Sequence, residues 1–266
     1  MNLSNTSQIL TVEFQDGIGR IKINRPEKRN ALTRELIEDL LKAVQGLQQR
    51  PELRAILFTA EGDVFCAGMD LGEMQARATA IDGKAQWQRD SEIYSELLSE
   101  IFTLPVPTIV CLQGPVLAGG VGMVLACDLI VASEVAFFSL PEPMRGITAA
   151  IVTPLLTYRI GAAAASGMLL SGERITAQRA FQLGLCHAIS PPDQLSKRTE
   201  ELLQAILTGA PAALTMTKRH LQRCTGSHVL EQLKGSIEVS AEARETADAR
   251  EGLAAFLEKR KPNWYR

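Results

Sequence analysis

Two glycine-bearing turns and one carboxylate are the parts of this sequence whose residue types could do chemistry. The first turn is Phe65-Cys66-Ala67-Gly68-Met69-Asp70-Leu71. Ala67 and Gly68 carry almost no side chain, so a ligand can approach the main chain closely there. An aspartate and a helix-permissive run follow at once. Backbone N–H groups at such a strand-to-helix junction point outward unpaired, which favours bound negative charge. The second turn runs from Gly114 to Met123 and sets Gly119, Gly120 and Gly122 at the start of an apolar helix. Taken singly, each would also serve as a tight turn or a close helix–sheet contact. Taken together, two amides from separate turns could converge on one oxygen and hold an enolate, as an oxyanion hole holds any developing alkoxide. A thioester carbonyl suits that role because its α-proton is acidic enough for enolate chemistry.

The carboxylate is Glu142, which follows Phe137-Phe138-Ser139-Leu140-Pro141 and precedes Pro143-Met144. Apolar company raises the proton affinity of a carboxyl group, which suits acid–base work near neutral pH. A proline-bracketed loop also fits an ordinary surface carboxylate. His187 lies in an apolar segment, while His220 and His228 fall in a helical tail, and all three read as structural or surface histidines. No His/Cys/carboxylate spacing suggests a metal site. Trp87 and Tyr94 fit either an acyl pocket or a packed helix face.

The elements that must position these residues follow from periodicity. Ile9–Phe14 and Gly19–Asn24 alternate around Asp16-Gly17, which predicts a β-hairpin. Thr33 is the expected N-cap of a helix with Leu36, Ile37, Leu40, Leu41, Val44 and Leu47 on one face. Pro51 ends it, and the strand Arg54–Thr59 follows. Residues 72–100 read as helical with a break near Ile81-Asp82-Gly83. The strands Thr108–Leu112 and Asp128–Ala132 flank the second glycine turn, and Phe137-Phe138 opens another short strand. Helices are expected from about Thr153, from Ala162 and over Thr176–Leu183, with a strand-like His187-Ala188-Ile189 after them. From Gln194 the pattern is helical, broken at Gly209–Pro211 and Thr225–Ser227. Strand, turn and helix recurring before an all-helical tail imply an α/β architecture with a helical C-terminal appendage. The glycine fingerprint of a dinucleotide fold is missing between the first strand and the first helix.

Bulk properties narrow the partners. The chain has 266 residues, 46% hydrophobic and 22% charged, with a formal net charge of -2. That balance gives no electrostatic reason to expect nucleic acid or an anionic membrane. The five cysteines are scattered without pairing or metal-like spacing, which points to reduced thiols. The most apolar stretch, Val106 to Ala132, is interrupted by prolines, four glycines and Asp128 and makes a poor membrane span. A polar start without a basic-then-apolar signal leads us to expect a soluble, cytoplasmic protein.

FCAGMDL at 65–71, AGGVGMVLACDLIVAS at 118–133, LPE at 140–142 and EGLAAFLEKRKPNW at 251–264 resemble the crotonase (enoyl-CoA hydratase/isomerase) superfamily. So do NRPEKRNAL at 24–32, LSGERITAQRAFQLGL at 170–185 and TKRHL at 217–221, so the resemblance runs through nearly the whole chain in order. It implies a spiral of ββα units (residues 1–195) followed by a helical trimerisation region (196–266), assembled as a homotrimer or hexamer. It implies that the Met69 and Gly119 amides are the two oxyanion donors. Coenzyme A, as part of an acyl-CoA substrate rather than a separate cofactor, would pass Lys28, Arg29 and Ala31. Ala67, Gly68, Asp70, Leu71, Gly72 and Gly122 would flank the pantetheine and thioester. Hydratases of the family commonly hold water between two glutamates. One matches Glu142, but the position three residues after the oxyanion glycine is Gly122 here. The resemblance therefore implies enoyl-CoA hydration with Glu142 as the one catalytic carboxylate. Double-bond isomerisation is the alternative, and a non-catalytic acyl-CoA-binding trimer is the reading from another class. The tail residues Phe256 and Leu257 need burial, which places them at a subunit boundary, and Lys259–Lys261 would face CoA phosphates.

Overall fold

The computed structural model describes residues 5–7 and 9–265. The hairpin forms as β2 (Leu10–Gln15) against β3 (Ile18–Ile23). Its two turn residues, Asp16 and Gly17, both take positive φ (51° and 79°), as a two-residue turn that follows strand twist requires. β1 (Asn5–Ser7) adds to the free side of β2. From β3 onward the large sheet is parallel through β4 (Ala55–Ala60), β5 (Thr108–Leu112), β7 (Leu129–Ser133) and β10 (Ala188–Ser190). Its order is β1-β2-β3-β4-β5-β7-β10. A smaller sheet holds β6 (Val116–Leu117), β8 (Phe137–Ser139) and β9 (Ile175–Thr176). The chain thus visits the large sheet, then the small one, then a helix, and repeats. That is a ββα spiral.

Thr33 caps α1 (Arg34–Gln48), its hydroxyl accepting from the Leu36 N–H at 3.1 Å. The predicted stripe of Leu36, Ile37, Leu40, Val44 and Leu47 is buried, and truncating one such leucine to alanine costs about 2–5 kcal/mol. α2 (Leu71–Ala78) and α3 (Gly83–Thr103) are separated where the sequence marks a break. α4 (Gly119–Ala126) is buried on every side, which explains its lack of amphipathic pattern. α5 (Thr153–Ser171) is broken at Gly161, whose φ of 74° is outside helical space, so a second helical piece starts at Ala162 as expected.

α6 (Ala177–Gln182) follows, and α7 (Leu195–Leu207) packs Leu195 and Leu203 on the sheet face carrying Ala55, Leu57, Ile109 and Val131. α8 (Pro211–Thr225) is tied to the spiral by Lys218. Its buried ammonium donates to Asp128 Oδ2 at 2.6 Å and to the Val106 carbonyl at 3.0 Å, and the same carboxylate oxygen accepts from the Thr108 amide and hydroxyl. α9 (Val229–Ala243) lies along α3, and α10 (Ala247–Leu257) packs on the short 3-10 helix Glu142–Arg145. That last contact is backbone on backbone. A Cβ at Gly146, itself at φ 69°, would overlap the Asp248 carbonyl, and one at Gly252 would overlap that of Arg145. In the single chain Phe256 and Leu257 remain 38% and 36% exposed. Arg260, in the tail segment Lys259–Lys261, is ion-paired with Glu251 and Glu258.

Candidate active site

The two glycine turns meet. Met69 forms an isolated parallel bridge with Leu32, in which Leu32 bonds the Gly68 carbonyl (2.8 Å) and the Asp70 amide (2.9 Å). Those bonds use the residues on either side of Met69, so the Met69 N–H points away from the bridge. Gly119 is the first residue of α4, where an N–H has no partner within the helix. Ala118 before it sits at φ 49° and ψ -128°, a strained conformation for a residue with a Cβ. That ψ sets the plane of the Ala118–Gly119 peptide and hence the direction of the Gly119 N–H. Gly68, at φ 89°, admits the contact: a Cβ there would lie 2.6 Å from Ala118 Cβ and 3.3 Å from the Gly119 nitrogen. Among the described residues neither the Met69 nor the Gly119 amide has a hydrogen-bond acceptor.

Tyr94, from α3, reaches into the same place. Its buried hydroxyl donates to the Gly119 carbonyl. A Cβ at Gly122 would overlap that hydroxyl and would crowd Val152 Cγ2 (3.2 Å) and Leu98 Cδ1 (3.3 Å). The position where the resemblance leads one to look for a second glutamate is therefore filled by a phenol. Burial above all, with the nearby Glu142 carboxylate adding to it, holds the Tyr94 hydroxyl well above its usual range, so it stays neutral.

Glu142 opens the 3-10 helix after β8, and β8 is linked to the second turn by the Ala118 N–H donating to the Ser139 carbonyl (2.9 Å). The side chain is 7% exposed. Its Oε2 is buried without a hydrogen-bond partner among the described residues. Burial pushes its carboxyl group up to about 7, against smaller opposing effects from its own backbone N–H and from Arg244. At neutral pH it is thus present both as acid and as base.

The remaining expected site residues are spread around this centre. Asp70 spends its carboxylate on structure, pairing with Arg25 (2.9 Å) and capping α2 through the Gly72 (3.0 Å) and Glu73 (3.2 Å) amides, so the Gly72 amide is also occupied. Ala67 donates to the Arg29 carbonyl at 3.0 Å, and Ala31 accepts from Arg25 at 3.0 Å, which ties the 24–32 segment to the first turn. Lys28 and Arg29 are exposed at its edge, and Leu71 is half-buried. Cys66 lies under the turn with its thiol pushed up by burial to about 12, which makes it inert. His187 is structural: burial lowers its proton affinity, and its Nδ1 accepts from the Ile130 N–H at 3.0 Å.

Sequence reasoning missed Arg244 and Arg145. Arg244 follows α9 and lines two adjoining cavities with Met74 and Trp87, one that also touches Met69 and one running toward α10. Arg145 lines the second. No local motif marks either: Arg145 ends the short 3-10 helix that Glu142 opens, and Arg244 arrives there through helix packing.

A family model described as enoyl-CoA hydratase/isomerase matches residues 13–266. The chain belongs to the enoyl-CoA hydratase/isomerase family. A Thermus thermophilus relative is 35% identical over 254 residues, covering 95% of this chain and 100% of that one. An enoyl-CoA isomerase/hydratase of Mycosarcoma maydis is 32% identical, with 92% of each chain covered. The crystal structure of an enoyl-CoA hydratase from Mycobacterium avium superposes with a TM-score of 0.86 at 28% identity, covering 97% of this chain and 100% of that one. The crotonase-superfamily spiral expected from the motifs is thereby established for this chain, helical C-terminal region included. Among the described residues no helix is long and apolar enough to cross a membrane.

Proposed function

We propose that this family member is an enoyl-CoA hydratase with Glu142 as its one acid–base carboxylate. The observation that carries the reading is the buried Oε2 of Glu142, without a partner among the described residues and on a group poised near 7, in a chain whose Met69 and Gly119 amides are likewise without acceptors among them. Ionised Glu142 takes a proton from water as the oxygen adds to the β-carbon. The electron pair of the double bond moves through the α-carbon onto the thioester oxygen, where the Met69 and Gly119 N–H groups stabilise the enolate. Glu142 then returns the proton to the α-carbon, so water is added and the carboxylate regenerated.

Isomerisation is the second reading, and the lone carboxylate favours it: one base can take a proton from one carbon and return it two carbons away through the same enolate. The test is a panel of straight and branched enoyl-CoA esters assayed for hydration and for double-bond migration. Hydration dominating on at least one ester is expected. Migration alone would replace the first reading with the second, and CoA binding without turnover would leave a non-catalytic acyl-CoA-binding protein. The working form we propose is a homotrimer or hexamer.

A further inference from the structure

Arginines, and no carboxylate, line the second cavity. Its walls are apolar, from Leu71, Ala78, Ile147, Ala249 and Leu253, yet Arg145, Arg244 and Arg250 line it and no Asp or Glu does. Arg145 is half-buried, and among the described residues it makes no hydrogen bond or ion pair, only a contact over the Phe256 ring at 3.5 Å from the centroid. Arg244 donates through one terminal nitrogen to Ser91 Oγ (3.3 Å), to the Ser240 carbonyl (2.8 Å) and to Ser240 Oγ. Its Nε is buried and unpartnered among the described residues. Two carboxylates act on Arg244 without a hydrogen bond to it: Asp90, already shared by Arg34 (2.6 Å) and Arg77 (2.7 Å), and Glu142. A guanidinium held among apolar walls is costly unless an anion completes it, and a carboxylate matches its fork of donors.

We propose that the acyl group taken by this chain ends in a carboxylate, received by Arg145 and Arg244 at the far end of the cavity that begins at Met69. The inference rests on the reading that the chain binds acyl-CoA thioesters. The first cavity is lined by Met69 together with Met74, Trp87 and Arg244, and the second shares those last three residues and extends toward α10. A hydrocarbon chain would run past Met69, Met74 and Trp87, beside the charged side chains of Arg34, Asp70, Glu73, Arg77 and Asp90 that complete the first cavity, and its terminal charge would stop at the arginines of the second.

The test uses a saturated, unreactive pair: the mono-CoA thioester of a dicarboxylic acid and the acyl-CoA of equal carbon number ending in methyl, at several chain lengths. Calorimetric affinities should favour the carboxylated member by about ten- to a hundredfold at the fitting length. Arg145→Met and Arg244→Met should each remove most of that preference, and Arg145→Lys should keep part of it. Equal affinities, or tighter binding of the methyl-ended member at every length, would overturn the proposal. So would an equal loss of affinity for free CoA in the variants, because the arginines would then be reading CoA phosphates. Arg244 is deeply packed, so if its variant fails to fold the Arg145 variants carry the test. Turnover of the matching 2-enoyl esters reports separately. Binding preference without turnover sinks the proposed reaction and leaves this assignment standing, and turnover without preference does the reverse.

Discussion

Glu142→Gln should make the protein inactive and, above neutral pH, relatively more stable. The wild-type carboxyl is shifted from 4.5 to about 7 chiefly by burial. Below the unfolded value of 4.5 both states are protonated and the shift costs nothing. As pH rises from there to about 7, the unfolded chain releases its proton while the folded chain holds on to it, so folding stability falls. Above that window the whole cost of ionising a buried carboxyl is present. At 1.36 kcal/mol per pKa unit this amounts to about 3 kcal/mol. Glutamine does not titrate, and whatever it gains or loses in packing is independent of pH. The assay is urea unfolding of both proteins at about pH 4.5 and pH 8. The stability difference, variant minus wild type, should rise by about 3 kcal/mol between them. A difference that stays flat would mean that Glu142 is not held at raised proton affinity, and the account of it as a poised base would fail. In parallel, turnover should drop about 10²–10⁴-fold, with CoA affinity retained.

Gly119→Pro deletes one oxyanion donor at the first position of α4, where a helical φ suits proline but Ala118 before it must leave its ψ of -128°, and should cost on the order of 3 kcal/mol of transition-state stabilisation. Met69→Ala keeps its main-chain N–H and should retain much of the turnover; full activity in the proline variant would remove Gly119 from the site. Gly122→Ala drives a Cβ into Tyr94 and should destabilise by about 1–3 kcal/mol despite the better helix propensity of alanine. Adding Tyr94→Phe should recover part of that loss, and additive effects in a double-mutant cycle would refute the contact. Sedimentation at micromolar concentration should show a trimer or hexamer, with Phe256→Ser weakening it; a wild-type monomer would contradict the assembly.

The sequence made the framework legible where a local rule decides the structure. Asp16-Gly17 specifies the hairpin, Thr33 the start of α1, and Gly161 the break before Ala162, each through backbone conformation or capping within a few residues. The pair of glycine turns was legible as a pair, because small residues beside helix starts are rare enough to notice. Lost to the sequence was everything that depends on which helix lies beside which. Tyr94 could be named as a pocket wall, but only packing of α3 on α4 sets its hydroxyl against Gly119 and closes the space above Gly122. Arg244 is separated from Trp87 by most of the chain, and Lys218 looks like one more surface cation in a polar helix until it is found buried on Asp128.

The contact of Gly146 with Asp248, and of Gly252 with Arg145, ties the segment that carries the base to the last helix with no side chain between them. Such a seam transmits displacement, because there is no flexible group to absorb it. Whatever seats the C-terminal helix therefore also seats Glu142. In the proposed trimer or hexamer, neighbouring subunits that press on the exposed Phe256 and Leu257 would set the position of Glu142 in the chain they touch. On that proposal the tail braces the loop that carries Glu142, and trimming it should abolish turnover while leaving the sheet intact.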